Sequence, residues 1–129
     1  MKANFMLELQ KIPNITDTHR ILEQHILEIP PCCPKSKNPR PGSTITIQYR
    51  PRGNSLEVGS LIRYLHTFIG GKRDAADRLE VRDMEGMICR IAQDCALILD
   101  VPVRVTAQLV ILPKQQMRLV ARGYPKEWA

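Results

Sequence analysis

Ser43-Thr44-Ile45-Thr46-Ile47-Gln48-Tyr49-Arg50-Pro51 alternates without a break. Ile45, Ile47 and Tyr49 fall on one side and Thr44, Thr46, Gln48 and Arg50 on the other, the two-residue period of a half-buried strand. Pro51-Arg52-Gly53 turns the chain out of it. Immediately before it runs a proline-rich turn, Cys32-Cys33-Pro34-Lys35-Ser36 continuing through Asn38-Pro39-Arg40-Pro41-Gly42. Two adjacent thiols with Lys35, Lys37 and Arg40 close by are in a setting that lowers a thiol pKa below about 8.5, which makes Cys33 a candidate nucleophile. On local chemistry alone, inert packing is the commoner fate of a free cysteine.

Upstream, Arg20 to Ile29 fits a strand through Ile21, Glu23, His25, Leu27 and Ile29, and a helix through Leu22, Ile26 and Ile29; Pro30-Pro31 stops either. Residues 1 to 19 read as irregular. Downstream, Asn54 stands three residues before Glu57 as a capping-box-like start, and Val58, Leu61, Ile62, Leu65, Phe68 and Ile69 share one helical face that Gly70-Gly71 ends. Lys72 to Arg82 is a charge run that reads as a loop or the first turns of the next helix. Met84, Met87, Ile88, Ile91, Cys95 and Ile98 then form a second helical stripe, on which Cys89 and Cys95 are structural. Val101 to Ile111 alternates and turns at Leu112 to Gln116 into Met117 to Arg122, a hairpin. These elements predict an α+β class: an antiparallel four-stranded sheet with two helices on one face, in the order ββααββ. The open sheet edges imply pairing between subunits.

A chain of 129 residues is expected to form one domain, residues 1–129. Ordinary hydrophobic and charged fractions give no sign of disorder or a membrane span. Glu8 and Gln10 interrupt any signal-peptide core, so a cytoplasmic location with reduced thiols is expected. Cys32, Cys33, Cys89 and Cys95 fit neither a disulfide framework nor a zinc site. His19, His25 and His66 are too dispersed to suggest a metal. Asn14-Ile15-Thr16 matches a glycosylation acceptor in form only. The net charge of +6 favours phosphorylated or polyanionic partners, although no aromatics interleave with the basic residues.

Four motifs in order resemble one family. Leu9-Gln10-Lys11-Ile12-Pro13-Asn14 is similar to a Leu-x-x-Phe-Pro-Asn start; Cys33-Pro34-Lys35-Ser36 and the strand ending Tyr49-Arg50-Pro51 are similar to a catalytic Cys-Pro-x-Thr/Ser turn and strand. Glu57-Val58-Gly59-Ser60-Leu61-Ile62-Arg63-Tyr64-Leu65 keeps much of a Glu-Ser-Lys-Ser-Leu-Lys-x-Tyr-Leu helix, and Glu85 stands near the start of the second helix. The chain thus resembles the QueF-type nitrile reductases, which convert 7-cyano-7-deazaguanine to the aminomethyl base with NADPH and have the tunnelling fold. The resemblance implies that Cys33 adds to the nitrile to form a thioimide, that Glu85 anchors the deazapurine edge with Glu57 and Ser60 assisting, and that the subunits join in a ring-forming homo-oligomer.

Departures accompany the likeness. Arg40 occupies the place of the family's general-acid Asp; a guanidinium stabilises a thiolate but is a poor proton donor. Gly59 and Ile62 replace two lysines of the NADPH motif, leaving Arg63, with Lys72 and Arg73 further on, as the candidate cofactor contacts. Two alternatives follow: a relative that forms an amidine on 7-cyano-7-deazaguanine carried in tRNA, without NADPH, and a purine- or pterin-binding protein without catalysis.

Overall fold

The computed structural model describes residues 8–14, 20–33 and 35–128, the side chain of Trp128 excepted. Its strands are β1 (Lys11–Pro13), β2 (Glu23–Glu28), β3 (Thr44–Tyr49), β4 (Asn54–Leu56), β5 (Lys72–Arg73), β6 (Leu79–Val81), β7 (Val103–Leu112) and β8 (Gln115–Gly123). Helix α1 (Val58–His66) follows β4, α2 (Met84–Leu99) follows β6, and a 3-10 turn spans Lys126–Trp128.

These strands form three antiparallel sheets: β1-β4, β5-β6 and the four-stranded β2-β3-β7-β8. The expected tunnelling-fold description, order ββααββ with both helices on one face of a single sheet, is therefore overturned. Two differences account for it. Strands of two or three residues are too short to display a period, so Lys11–Pro13, within the stretch expected to be irregular, and Lys72–Arg73 with Leu79–Val81, within the expected loop or helix, are invisible to periodicity. Asn54 begins β4 instead of capping a helix, and the N-cap is Glu57, whose carboxylate accepts from the Ser60 N–H at 3.1 Å. The two helices also stand differently: α2 lies along β7 and β8, whereas α1 and edge strand β2 line the walls of a groove through Leu61, Leu65, His25 and Leu27.

The alternation that starts the sequence reading governs the main sheet. Ile45, Ile47 and Tyr49 are buried and their neighbours half-buried, and Val103, Val105, Ala107 and Leu109 continue the apolar face on β7. Against it α2 sets Met87, Ile88, Ile91, Ala92 and Cys95. Gly123 is the point of closest approach, because a Cβ there would stand 2.0 Å from the Ala92 carbonyl oxygen. The β1-β4 ribbon is fastened to this sheet by polar contacts: the Leu56 N–H donates to the Tyr49 hydroxyl at 2.9 Å, and the Tyr49 and Ser55 hydroxyls each donate to Glu23 at 2.8 Å. Of the expected buried stripe on the first helix, Val58, Ile62 and Ile69 are exposed, and α1 ends at His66, short of Phe68. Cys95 is buried, while Cys89 faces outward. No helix among the described residues is long and apolar enough to cross a membrane.

Candidate functional site

The turn before β3 is held by its own backbone. The N–H groups of Cys32 and Cys33 both donate to the Asn38 carbonyl, at 2.9 and 3.1 Å, and Lys37, at φ 58°, returns its N–H to the Cys33 carbonyl at 2.8 Å. Outside the turn, Gly70 N–H donates to the Cys32 carbonyl at 2.7 Å and Arg40 N–H to the Val110 carbonyl at 2.9 Å. The turn is thereby tied to the loop after α1 and to the end of β7.

Within this frame the two thiols differ. Cys33 is exposed, and its thiol is held below the ordinary thiol range by hydrogen bonding from the Ser36 side chain, then the backbone N–H groups of Ser36 and Lys35, with the Lys35 charge adding to them. The Ser36 N–H lies 3.5 Å from its sulfur. Cys32 is half-buried, donates to the Pro30 carbonyl at 3.2 Å, and burial pushes its thiol up. Of the pair, Cys33 has the more exposed and the more acidic thiol.

Both thiols line a cavity of about 220 Å³. Its other walls are Phe68, Gly70 and Gly71 after α1, Leu79 and Val81 from β6, and Asp83, Met84 and Met87 at the start of α2. Asp83 is the carboxylate of this cavity and caps α2, accepting from the Gly86 N–H at 2.7 Å. Asn38 and Arg82 complete the polar part of the wall. Such a space is smaller than the roughly 300–1,000 Å³ typical of pockets for drug-sized ligands, and suits a compact ring system.

The residues expected at the site separate. Cys33 is on the cavity. Glu85 is exposed in the first turn of α2, two residues past Asp83, and is not among the wall residues. Arg40 is exposed and also off the wall. Glu57 and Ser60 close the start of α1, with the Ser60 hydroxyl donating to the Glu57 carbonyl at 2.9 Å and accepting from the Gln10 N–H at 3.0 Å. Their positions give them a helix-capping role.

Of the three cations set aside for a dinucleotide, Lys72 and Arg73 are engaged locally. Arg63 lies near Glu57, both within 3.7 Å of where a Cβ on Gly59 would stand. Lys72 is buried, its Nζ donating to the Thr67 hydroxyl at 2.6 Å and lying 4.9 Å from the Phe68 ring centroid; burial lowers its pKa against the pull of Glu8. Arg73 donates to the Asp77 carbonyl at 2.9 Å. None of them lines the Cys33 cavity.

Asp83, Asn38 and Arg82 are the wall residues that sequence reasoning missed. The signal for Asp83 as a helix start was present, an Asp directly before an apolar-periodic run. Its place beside the thiols depends on the β5-β6 hairpin, which no period announces. No family model matches the chain, and no curated protein matches it.

Proposed function

We propose that the protein is a thiol-dependent enzyme of 7-deazapurine metabolism, in which Cys33 adds to the nitrile of 7-cyano-7-deazaguanine. The observation that carries this is the exposed, acidified Cys33 thiol at a ring-sized cavity whose wall includes the Asp83 carboxylate. The thiolate forms a bond to the nitrile carbon, one C–N π pair moves to nitrogen, and nitrogen takes a proton from solvent; the product is a thioimide. Asp83 is the better placed anchor for the ring N–H and amino group of a guanine-like edge, through two charge-assisted hydrogen bonds.

Two fates of the thioimide are separable. The resemblance favours reduction by NADPH. Displacement of the thiol by ammonia to give an amidine is favoured by one observation, the local engagement of Lys72 and Arg73 away from the Cys33 cavity. Intact-protein mass after incubation with 7-cyano-7-deazaguanine is the test: wild type should gain one adduct, Cys33→Ala none, and Asp83→Asn much less at limiting ligand. NADPH or ammonia added to the preformed adduct then identifies the product. An adduct that persists in Cys33→Ala, or none in wild type, defeats the proposal.

A further inference from the structure

The side of the four-stranded sheet that does not form the apolar core is read off the register. Gln24, Gln48, Arg104 and Arg122 form one row across all four strands, each the direct partner of the next. A second row ends in Gln108 and Arg118, joined by a hydrogen bond from Arg118 Nε to the Gln108 side-chain oxygen Oε1 at 2.9 Å. Between them runs the central row Ile26, Thr46, Thr106 and Val120, whose two outer members are exposed aliphatic side chains.

Three features of this face stand together. Arg104 and Arg122 are directly opposite on neighbouring strands, both exposed, and among the described residues neither has an ion-pair partner. Like charges placed directly opposite destabilise a sheet, and this pair is of that kind. Carboxylates are nearly absent: the register puts only Glu28 on this side, at the far corner on β2. The remaining positions are Gln and Thr, which donate and accept hydrogen bonds, and the aliphatic Ile26, Val110 and Val120; the Gln24 and Gln108 amides are already oriented by donating to Gln48 at 2.7 Å and Gln116 at 2.8 Å.

We propose that this face is an RNA-binding surface, on which Arg104, Arg118 and Arg122 contact backbone phosphates and the Gln and Thr side chains contact ribose hydroxyls. Guanidinium groups match phosphate geometry, and phosphate contacts supply the sequence-independent part of nucleic-acid affinity. The face has no aromatic side chain on which unpaired bases would stack, so the fit is to the backbone of folded or duplex RNA, which proteins recognise by phosphate and 2′-hydroxyl contacts. An acidic protein partner fits less well, because protein interfaces are anchored on aromatic side chains, and this face has none, its aliphatic Ile26 and Val120 standing apart on the two edge strands with Thr46 and Thr106 between them. The surface is independent of the Cys33 chemistry.

The test is fluorescence anisotropy of the full chain with a labelled folded RNA, from 50 to 200 mM KCl, beside a DNA duplex of the same length and heparin as competitors. Wild type should bind RNA with a steep salt dependence. Arg104→Gln and Arg122→Gln should each weaken binding several-fold at 50 mM KCl and reduce the log–log salt slope by about one. Arg78→Gln, on the β5-β6 hairpin, should match wild type, as should Cys33→Ala whatever becomes of the nitrile adduct. A second readout separates binding from architecture: at low salt either sheet variant should melt higher than wild type, because the like-charge pair is relieved, and the gain should fade at 0.5 M KCl. No RNA binding by wild type at 50 mM KCl, unchanged slopes in both sheet variants, or DNA or heparin binding as tight as RNA would each overturn the proposal.

Discussion

Cys33 and Cys95 carry the same functional group in opposite surroundings. Cys33 stands on an exposed turn whose N–H groups and Ser36 side chain point at its sulfur, and its thiol is acidified. Cys95 is fully buried where α2 meets the sheet; burial, and then the neighbouring Asp94 carboxylate, push its thiol far up. The difference teaches that reactivity here comes from where the backbone points its donors. The turn leaves hydrogen-bonding groups facing the sulfur, whereas the middle of a helix has none to give because its N–H groups are already bonded within the helix.

Alkylation is the first way to break the comparison, and the largest effect. With a small haloacetamide at pH 7.5, Cys33 should react at least about a thousandfold faster than Cys95, which reacts only when the helix–sheet contact opens. Peptide mapping by mass spectrometry over time reads both rates. Comparable rates would mean that Cys95 is not enclosed.

Gly123→Ala attacks the buried side alone. Its Cβ would meet backbone atoms of Ala92 and Gln93, which cannot swing aside as a flexible side chain can. We expect a loss of about 3 kcal/mol in urea unfolding, and faster alkylation of Cys95 with the Cys33 rate unchanged. If both rates rise together, the turn and the helix seat open as one unit.

How much of this arrangement is legible in the sequence depends on the length over which a pattern repeats. Thr44–Tyr49, the α2 stripe and the hairpin from Val103 to Gly123 repeat a period long enough to read. The short pairs Lys11–Pro13 with Asn54–Leu56 and Lys72–Arg73 with Leu79–Val81 do not, and they turn one sheet into three. Lys72 shows the physical reason a charge run misleads: its ammonium is buried because the Thr67 hydroxyl accepts a hydrogen bond from it and the Tyr64 and Phe68 ring centroids lie within 5.5 Å of it. At the site, the thiols and their basic neighbours are local in sequence. Asp83 reaches them only because the β5-β6 hairpin brings the start of α2 beside the turn, and Glu85, though adjacent in sequence, is not on the wall.

Tyr64→Phe tests what supports Cys95 from the next position along α2. Tyr64 donates its hydroxyl to Asp94 at 2.5 Å, and Arg90 lies 3.4 Å from the other carboxylate oxygen and 3.1 Å from Glu80. This knot joins α1, α2 and β6. Burial raises the Asp94 pKa, while Tyr64, Arg90 and Lys72 work against that shift. Removing the hydroxyl leaves a buried carboxylate one donor short, so a loss of about 2 kcal/mol at pH 7 is expected in urea unfolding. A change under about 0.5 kcal/mol would mean that the remaining partners of Asp94 suffice.

The smallest effect is the alkaline limb of stability, where the two thiols pull in opposite directions. Cys95 has its pKa raised by folding, so above about pH 8.5 the unfolded chain gives up this proton while the folded chain keeps it. The unfolded state then binds fewer protons than the native state, and stability falls as pH rises. Tyr64 and Tyr49, raised chiefly by burial, act in the same sense nearer pH 10. Cys33, shifted down, releases its proton earlier in the folded state and acts in the opposite sense. Between pH 8 and 9.5 the Cys95 contribution should be a loss of about 1 kcal/mol. Urea unfolding of wild type and Cys95→Ala across that range isolates it, since the cavity left by the substitution costs the same at every pH whereas the proton does not. A shallower decline with pH in Cys95→Ala than in wild type is the expected result, and parallel curves would show that the Cys95 thiol ionises equally readily in the folded and unfolded chain.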